Sequence, residues 1–126
     1  MLDFEGDSGP YVQYCGVRCA SLIRKYGQAI PAKMAVELQS PEEMDLVRTL
    51  LSFDVVLKNA FAAFKPHILA GYLIEVCHKF SQFYTKHRIL GEDPAVEGSR
   101  IALVQAVLKV LEKGLAILSI ELPEAM

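Results

Sequence analysis

The sequence predicts an all-α fold, a bundle of about five helices in one domain, and three observations carry that prediction. Apolar residues recur at three- and four-residue spacing through most of the chain. No stretch sustains the strict apolar–polar alternation of a half-buried strand, so no strands are predicted. The boundaries between periodic segments carry caps and prolines, as at Ser40-Pro41, Lys65-Pro66 and Asp93-Pro94. With 126 residues and 52% hydrophobic content, the chain has the material for a single core.

The first helix opens near Gly9. Pro10 sits in its first turn, where a missing N–H costs nothing, and Asp7 or Ser8 is placed to cap the exposed amides. At about 100° per residue, Val12, Cys15, Cys19, Leu22, Ile23 and Tyr26 form one stripe, while Tyr11, Tyr14, Arg18 and Lys25 form the adjoining one. The first stripe asks for a core. The second sets two aromatic rings and two cations on one edge, the combination that stacks bases and neutralises phosphates of single-stranded nucleic acid. Tyrosines at helical spacing also serve as half-buried packing residues, so the edge by itself leaves both uses open. Gly27 supplies the left-handed residue that closes the helix. Residues 28–39 form a connector in which Pro31 excludes a long helix, with room for one turn at 32–38.

Ser40-Pro41-Glu42-Glu43 has the form of a capping box with proline at the first helical position, and opens a second helix that carries Met44, Val47, Leu50 and Leu51 inward. A break near Ser52 or Asp54 precedes a further helical segment to Phe64, through Val56, Leu57, Ala60, Phe61 and Phe64. Pro66 stops that segment and starts the next. Ile68, Leu69, Tyr72, Leu73, Val76, Cys77, Phe80, Phe83 and Tyr84 then keep helical spacing over about five turns, marking a central bundle helix. Gly91-Glu92-Asp93-Pro94 interrupts, and Ile101, Val104, Leu108, Leu111, Leu115 and Leu118 mark a last helix that ends before Pro123.

Composition removes several function classes. Thirteen Lys and Arg against 15 Asp and Glu give a net charge of −2, so no bulk positive field draws nucleic acid from a distance and any RNA contact is local. Three cysteines without a signal-peptide pattern fit a reducing cytosol, and no apolar run reaches the roughly 18 residues of a membrane span; a cytoplasmic, monomeric protein with no membrane association is expected. Cys15 and Cys19 lie one turn apart and, with His67, His78 and His87, could in principle assemble a zinc site. They fall on the apolar stripe, where free cysteine packs as a small hydrophobe, and the histidines lack paired ligand spacing. A disulfide between two positions of one regular helix is disfavoured too. Glu42, Glu43, Glu92, Asp93 and Glu97 occupy helix starts, where they complement the dipole, which leaves no pair for acid–base work. No phosphate-cradling glycine loop or serine triad is present. No catalytic residue, metal ligand or cofactor is expected in this chain.

Two segments carry a resemblance. FEGDSGPYVQYCGVR, residues 4–18, is similar to the FEGxTGPYxQYxxxR stretch with which arginyl-tRNA synthetases pass from their catalytic core into the C-terminal, all-helical DALR anticodon-binding domain. SRIALVQAVLKVLEKGLAILSIELPEAM, residues 99–126, is similar to their closing RLALxxAxxxVLxxGLxLLGIxxPExM. Together with a helical middle of suitable length, the resemblance covers essentially the whole chain. It implies the anticodon-binding bundle of a class I synthetase over residues 1–126, with residues 1–8, where Met1, Leu2 and Phe4 are apolar, a remnant of the junction with the catalytic domain. It implies as partners the anticodon loop of tRNA(Arg) and that catalytic domain. The His-x-Gly-His and Lys-Met-Ser-Lys signatures for ATP are absent, so ATP and Mg belong to the parent enzyme's catalytic half and this chain alone should not aminoacylate.

All arginine anticodons share a central cytosine, which the resemblance makes the target base. By the same resemblance Tyr11, Tyr14 and Arg18 face the anticodon loop, the rings for stacking and the guanidinium for a phosphate or base edge. Tyr84 matches another aromatic of that pocket, although it also continues an apolar stripe. Met126 matches the terminal methionine that lies against the pocket with its carboxylate. Lys25 and Arg100 are weaker candidates, Arg100 reading first as an ion-pair partner at a helix start. Cys15 and Gly16 stand where the family has Ala and His or Ala, and a glycine inside a helix costs about 1 kcal/mol relative to Ala. Ser8 replaces the usual threonine and keeps the capping hydroxyl. The alternative class is a helical protein-interaction domain that kept the synthetase scaffold and lost RNA binding, for which the acidic balance speaks.

Overall fold

The computed structural model describes residues 9–31, 40–91 and 93–118. Five helices follow in order: α1 (Gly9–Tyr26), α2 (Pro41–Leu51), α3 (Phe53–Ala63), α4 (Pro66–Lys86) and α5 (Pro94–Ile117). Among the described residues there is no strand. The boundaries fall where local chemistry puts them. Gly27 takes a φ of 66° and closes α1. The capping box is complete: Ser40 Oγ accepts from the Glu43 amide at 3.1 Å, and Glu43 Oε1 accepts from the Ser40 amide at 3.3 Å. Asp93 Oδ2 accepts from the Ala95 amide to open α5. The turn predicted at 32–38, the cap at Asp7 or Ser8, the junction at 1–8 and the role of Pro123 lie outside the described residues.

α4 is the spine, packed against each of the other four helices, and α1 packs most extensively on α5. Tyr11 meets His78 and Arg18 meets Tyr84, so α1 and α4 run parallel. The start of α5 lies against the end of α1: a Cβ on Gly98 would come within 3.1 Å of Pro31, which is why a residue without one stands there. α1 and α5 are therefore antiparallel. The core at their junction is built from Val12, Cys19, Leu46, Leu73, Val76, Cys77, Phe83, Ile101, Val104, Val107 and Leu111, all fully buried. The Tyr72 hydroxyl donates to the Thr49 carbonyl and ties α4 to the end of α2.

Four expectations are corrected. Leu51 does not point inward; it is 77% exposed, and Leu46 takes the fully buried place on α2. Phe61 and Phe64 do not join the core, at 63% and 91% exposure. Leu108 is half-buried, while Leu103 and Val107 are buried on α5. Which side of an amphipathic helix is covered depends on where its neighbours lie; for Phe61 and Phe64 the reason is that α3 lies at the margin of the bundle, packed chiefly on α4.

Candidate nucleic-acid interface

Parallel packing of α1 and α4 brings together three side chains that are far apart in sequence. Tyr14 and Arg18 are one helical turn apart on α1, and the Arg18 Nη2 donates to the Tyr14 hydroxyl at 2.9 Å. The Arg18 guanidinium carbon lies 5.0 Å from the centre of the Tyr14 ring and 4.7 Å from that of Tyr84, which α4 contributes near its C-terminal end. Both distances are within the reach of a cation–π contact. Tyr14 is 50% and Tyr84 39% exposed, so each ring keeps a free part of its surface. Ser21 and Lys25 extend the same side of α1 by two more turns and line the same shallow depression.

Tyr11 takes a different place. It is half-buried on the α1–α4 seam, its ring tilted against His78 at 5.6 Å. Burial raises its phenol, with a hydrogen bond to Ser81 acting the other way. The edge expected from sequence thus divides: Tyr14, Arg18 and Lys25 stay on the open face with Tyr84, and Tyr11 helps to close the seam beside it. Arg100 is engaged elsewhere, its Nε 3.3 Å from Glu43 Oε2 and its Nη1 donating to the Arg88 carbonyl at 2.6 Å. That pair joins α5 to the capping box of α2, the helix-start ion pair anticipated for it. Met126 lies outside the described residues.

Sequence reasoning omitted Ser21 from the face, and His78 and Ser81 from the seam. Ser21 was within reach, since positions 14, 18, 21 and 25 follow one helical stripe. The seam partners were not, because nothing local states that α4 runs parallel to α1.

What the face offers is rings, a hydroxyl-bound guanidinium and a second cation, the groups of a binding surface. Cys15, Cys19 and Cys77 are buried and unbridged. Hydrogen bonding to Cys15, and then burial, raises the thiols of Cys19 and Cys77 and keeps them neutral. His87 sits on Glu42, Nε2 to Oε1 2.9 Å. Among the described residues no group of His, Cys, Asp and Glu side chains is arranged to hold a metal ion, and no helix is long and apolar enough to cross a membrane.

Comparison with known proteins gives the family and the fold. The family model described as the DALR anticodon binding domain matches residues 12–126. An arginine–tRNA ligase of Levilactobacillus brevis is 37% identical over all of this chain, which covers 22% of that protein. One from Thermococcus kodakarensis is 37% identical, again over the whole chain and 21% of the relative. The arginyl-tRNA synthetase of Thermus thermophilus superposes on 98% of the chain with a TM-score of 0.86 at 33% identity, using 22% of its own length. The chain spans about a fifth of the length of these relatives.

Proposed function

We propose a tRNA-binding role from the premise that this chain belongs to the family of DALR anticodon-binding domains. It acts as the anticodon-reading part of an arginine–tRNA ligase, holds the anticodon loop of tRNA(Arg), and works beside a catalytic domain in the cytoplasm. Activation and transfer of arginine belong to that other domain, with its ATP and Mg.

The observation that carries the reading is the Tyr14–Arg18–Tyr84 cluster, two half-exposed rings from different helices with a guanidinium against both. Aromatic faces and a planar cation are what an unstacked base needs, and a loop offers unstacked bases. Lys25 adds a cation to the same face and Tyr11 supports its edge; from the family resemblance alone we add Met126 as an apolar contact for the base. The central cytosine is the base proposed to enter.

The test is fluorescence anisotropy with an anticodon stem-loop bearing a central cytosine, and a control bearing uracil. The expected outcome is preference for cytosine with a dissociation constant in about the micromolar range or weaker, because a net charge of −2 leaves little counterion release to draw on. Equal, salt-insensitive indifference to both loops would favour the second reading, a protein-interaction domain on this scaffold. That reading has one observation on its side, an apolar groove between Leu57, Phe61, Phe64, Leu69 and Ile117.

A further inference from the structure

We propose that the two cations of the α1 face have different tasks: Arg18 is a stacking layer for a base, and Lys25 is the group that neutralises a backbone phosphate of the same RNA. The inference rests on the anticodon-binding reading and assigns roles within its site.

Arg18 is already committed. Its guanidinium lies within 5.0 Å of two ring centres, and one of its N–H groups is taken by the Tyr14 hydroxyl at 2.9 Å. Swinging out to meet a phosphate would break both ring contacts and that hydrogen bond. A guanidinium is weakly hydrated, so it loses little by staying against the rings, where it fills the space between them and offers its remaining N–H groups to a base. Tyr14, Arg18 and Tyr84 are thus gathered into one platform before any RNA arrives.

Lys25 is the opposite case. It is exposed, lines the same depression, and makes no ion pair among the described residues. Seven residues beyond Arg18, it sits two turns along the same side, about 10 Å farther on the axis. A strand that leaves the platform along α1 reaches Lys25 at that distance. A compact, hydrated ammonium on a flexible stem suits a phosphate whose position is not fixed. The competing account of Lys25 is that it only offsets the helix dipole in the last turn of α1, beside Arg24.

Binding of a stem-loop with a central cytosine across a salt series separates the roles, with thermal melts confirming that every variant is folded. Lys25→Gln should flatten the dependence of log K on log salt by about 0.7, one phosphate on a single strand, and its deficit should shrink as salt rises. Arg18→Lys keeps the charge and loses the plane, so the slope should stay while affinity falls by about three- to tenfold at every salt concentration. An Arg18→Lys variant that binds like the parent, or a Lys25→Gln variant with the parent slope, overturns the division of labour. If the parent chain itself binds no stem-loop at any salt, the anticodon-binding reading falls first, and the proposal with it.

Discussion

The two ends of α4 both display aromatic rings, and the two displays differ in kind. Toward the C-terminal end, Tyr84 and Tyr14 carry hydroxyls, share a guanidinium and leave part of each ring open. Beside the N-terminal end, Phe61 and Phe64 from the end of α3 stand largely in solvent and line one groove with Ile117 and Lys65, and neither ring carries a hydroxyl or holds a cation against its face. Phe64 also holds the left-handed conformation, φ 53°, that ends α3. An exposed ring alone therefore says little about ligand chemistry. What separates the ends is the company each ring keeps: hydroxyls and cations select a stacking, charged ligand, whereas bare phenyl rings select only apolar surface.

The largest effect expected tests whether these rings are surface features at all. Leu111 is fully buried, and Leu111→Ala should cost about 2–5 kcal/mol in denaturant unfolding, by lost burial and the cavity left behind. Tyr14→Ala, half-exposed, should change stability by a small fraction of that. Comparable losses from the two would make Tyr14 a packing residue and erase the contrast.

Next in size is the binding effect. Tyr84→Ala should weaken stem-loop binding by about 1–3 kcal/mol, the worth of one base–aromatic stack, with the thermal midpoint nearly kept. Phe61→Ala at the other end should leave RNA affinity alone. Equal losses from both would mean that the RNA runs the length of α4, or that the site is misplaced.

How far these faces could be read in advance depends on what each required. Helix boundaries were legible because their causes are local: the Ser40–Glu43 box, Pro66 and Gly27 act within a turn of themselves. Burial of the α1 stripe was legible because a long helix averages over its neighbours. The inward side of α2 was legible in part: Val47 and Leu50 pack against the core, but the fully buried place goes to Leu46, and Glu43 turns inward to pair with Arg100, a residue 57 positions away. Tyr84 could be placed near Tyr14 only by resemblance, since the parallel setting of α1 and α4 has no local signature. Phe61 and Phe64 fit the helical period and still face solvent, because α3 is covered on one side only.

A smaller effect is expected at Phe64. A side chain in the left-handed region costs roughly 1–2 kcal/mol, and glycine gives back about 0.5–1 kcal/mol in unfolded-chain entropy, so Phe64→Gly should stabilise by about 0.5–1 kcal/mol. The ring is 91% exposed and has little packing to lose. Stem-loop affinity should not move. A drop in the midpoint would mean that the ring is held in the apolar groove and contributes there.

The smallest effect concerns acid. The charged contacts found among the described residues join Asp45 to Arg48 and Lys79, and Glu43 to Arg100, with Glu42 on the ring of His87; none involves α3. The hydrogen bond from His87 holds the Glu42 carboxyl below its usual range. A carboxyl so lowered contributes stability that is fully present above its unfolded value, about 4.3, and is lost as pH falls through the lower folded value. Acid should therefore loosen the link between the start of α2 and the end of α4, beside Tyr84, before it touches the phenylalanine end. Glu42→Gln cannot titrate, so its midpoint should fall less steeply than the parent's over that acid limb. The two curves should differ most at neutral pH and converge at the bottom of the limb. Because the Glu42 and His87 side chains keep partial contact with water, which screens the pair, the gap should be smaller than the shift from Phe64→Gly. Parallel curves down the whole acid limb would show that the pair contributes nothing to holding α2 on α4, leaving the Glu43–Arg100 contact and Leu46 to do so.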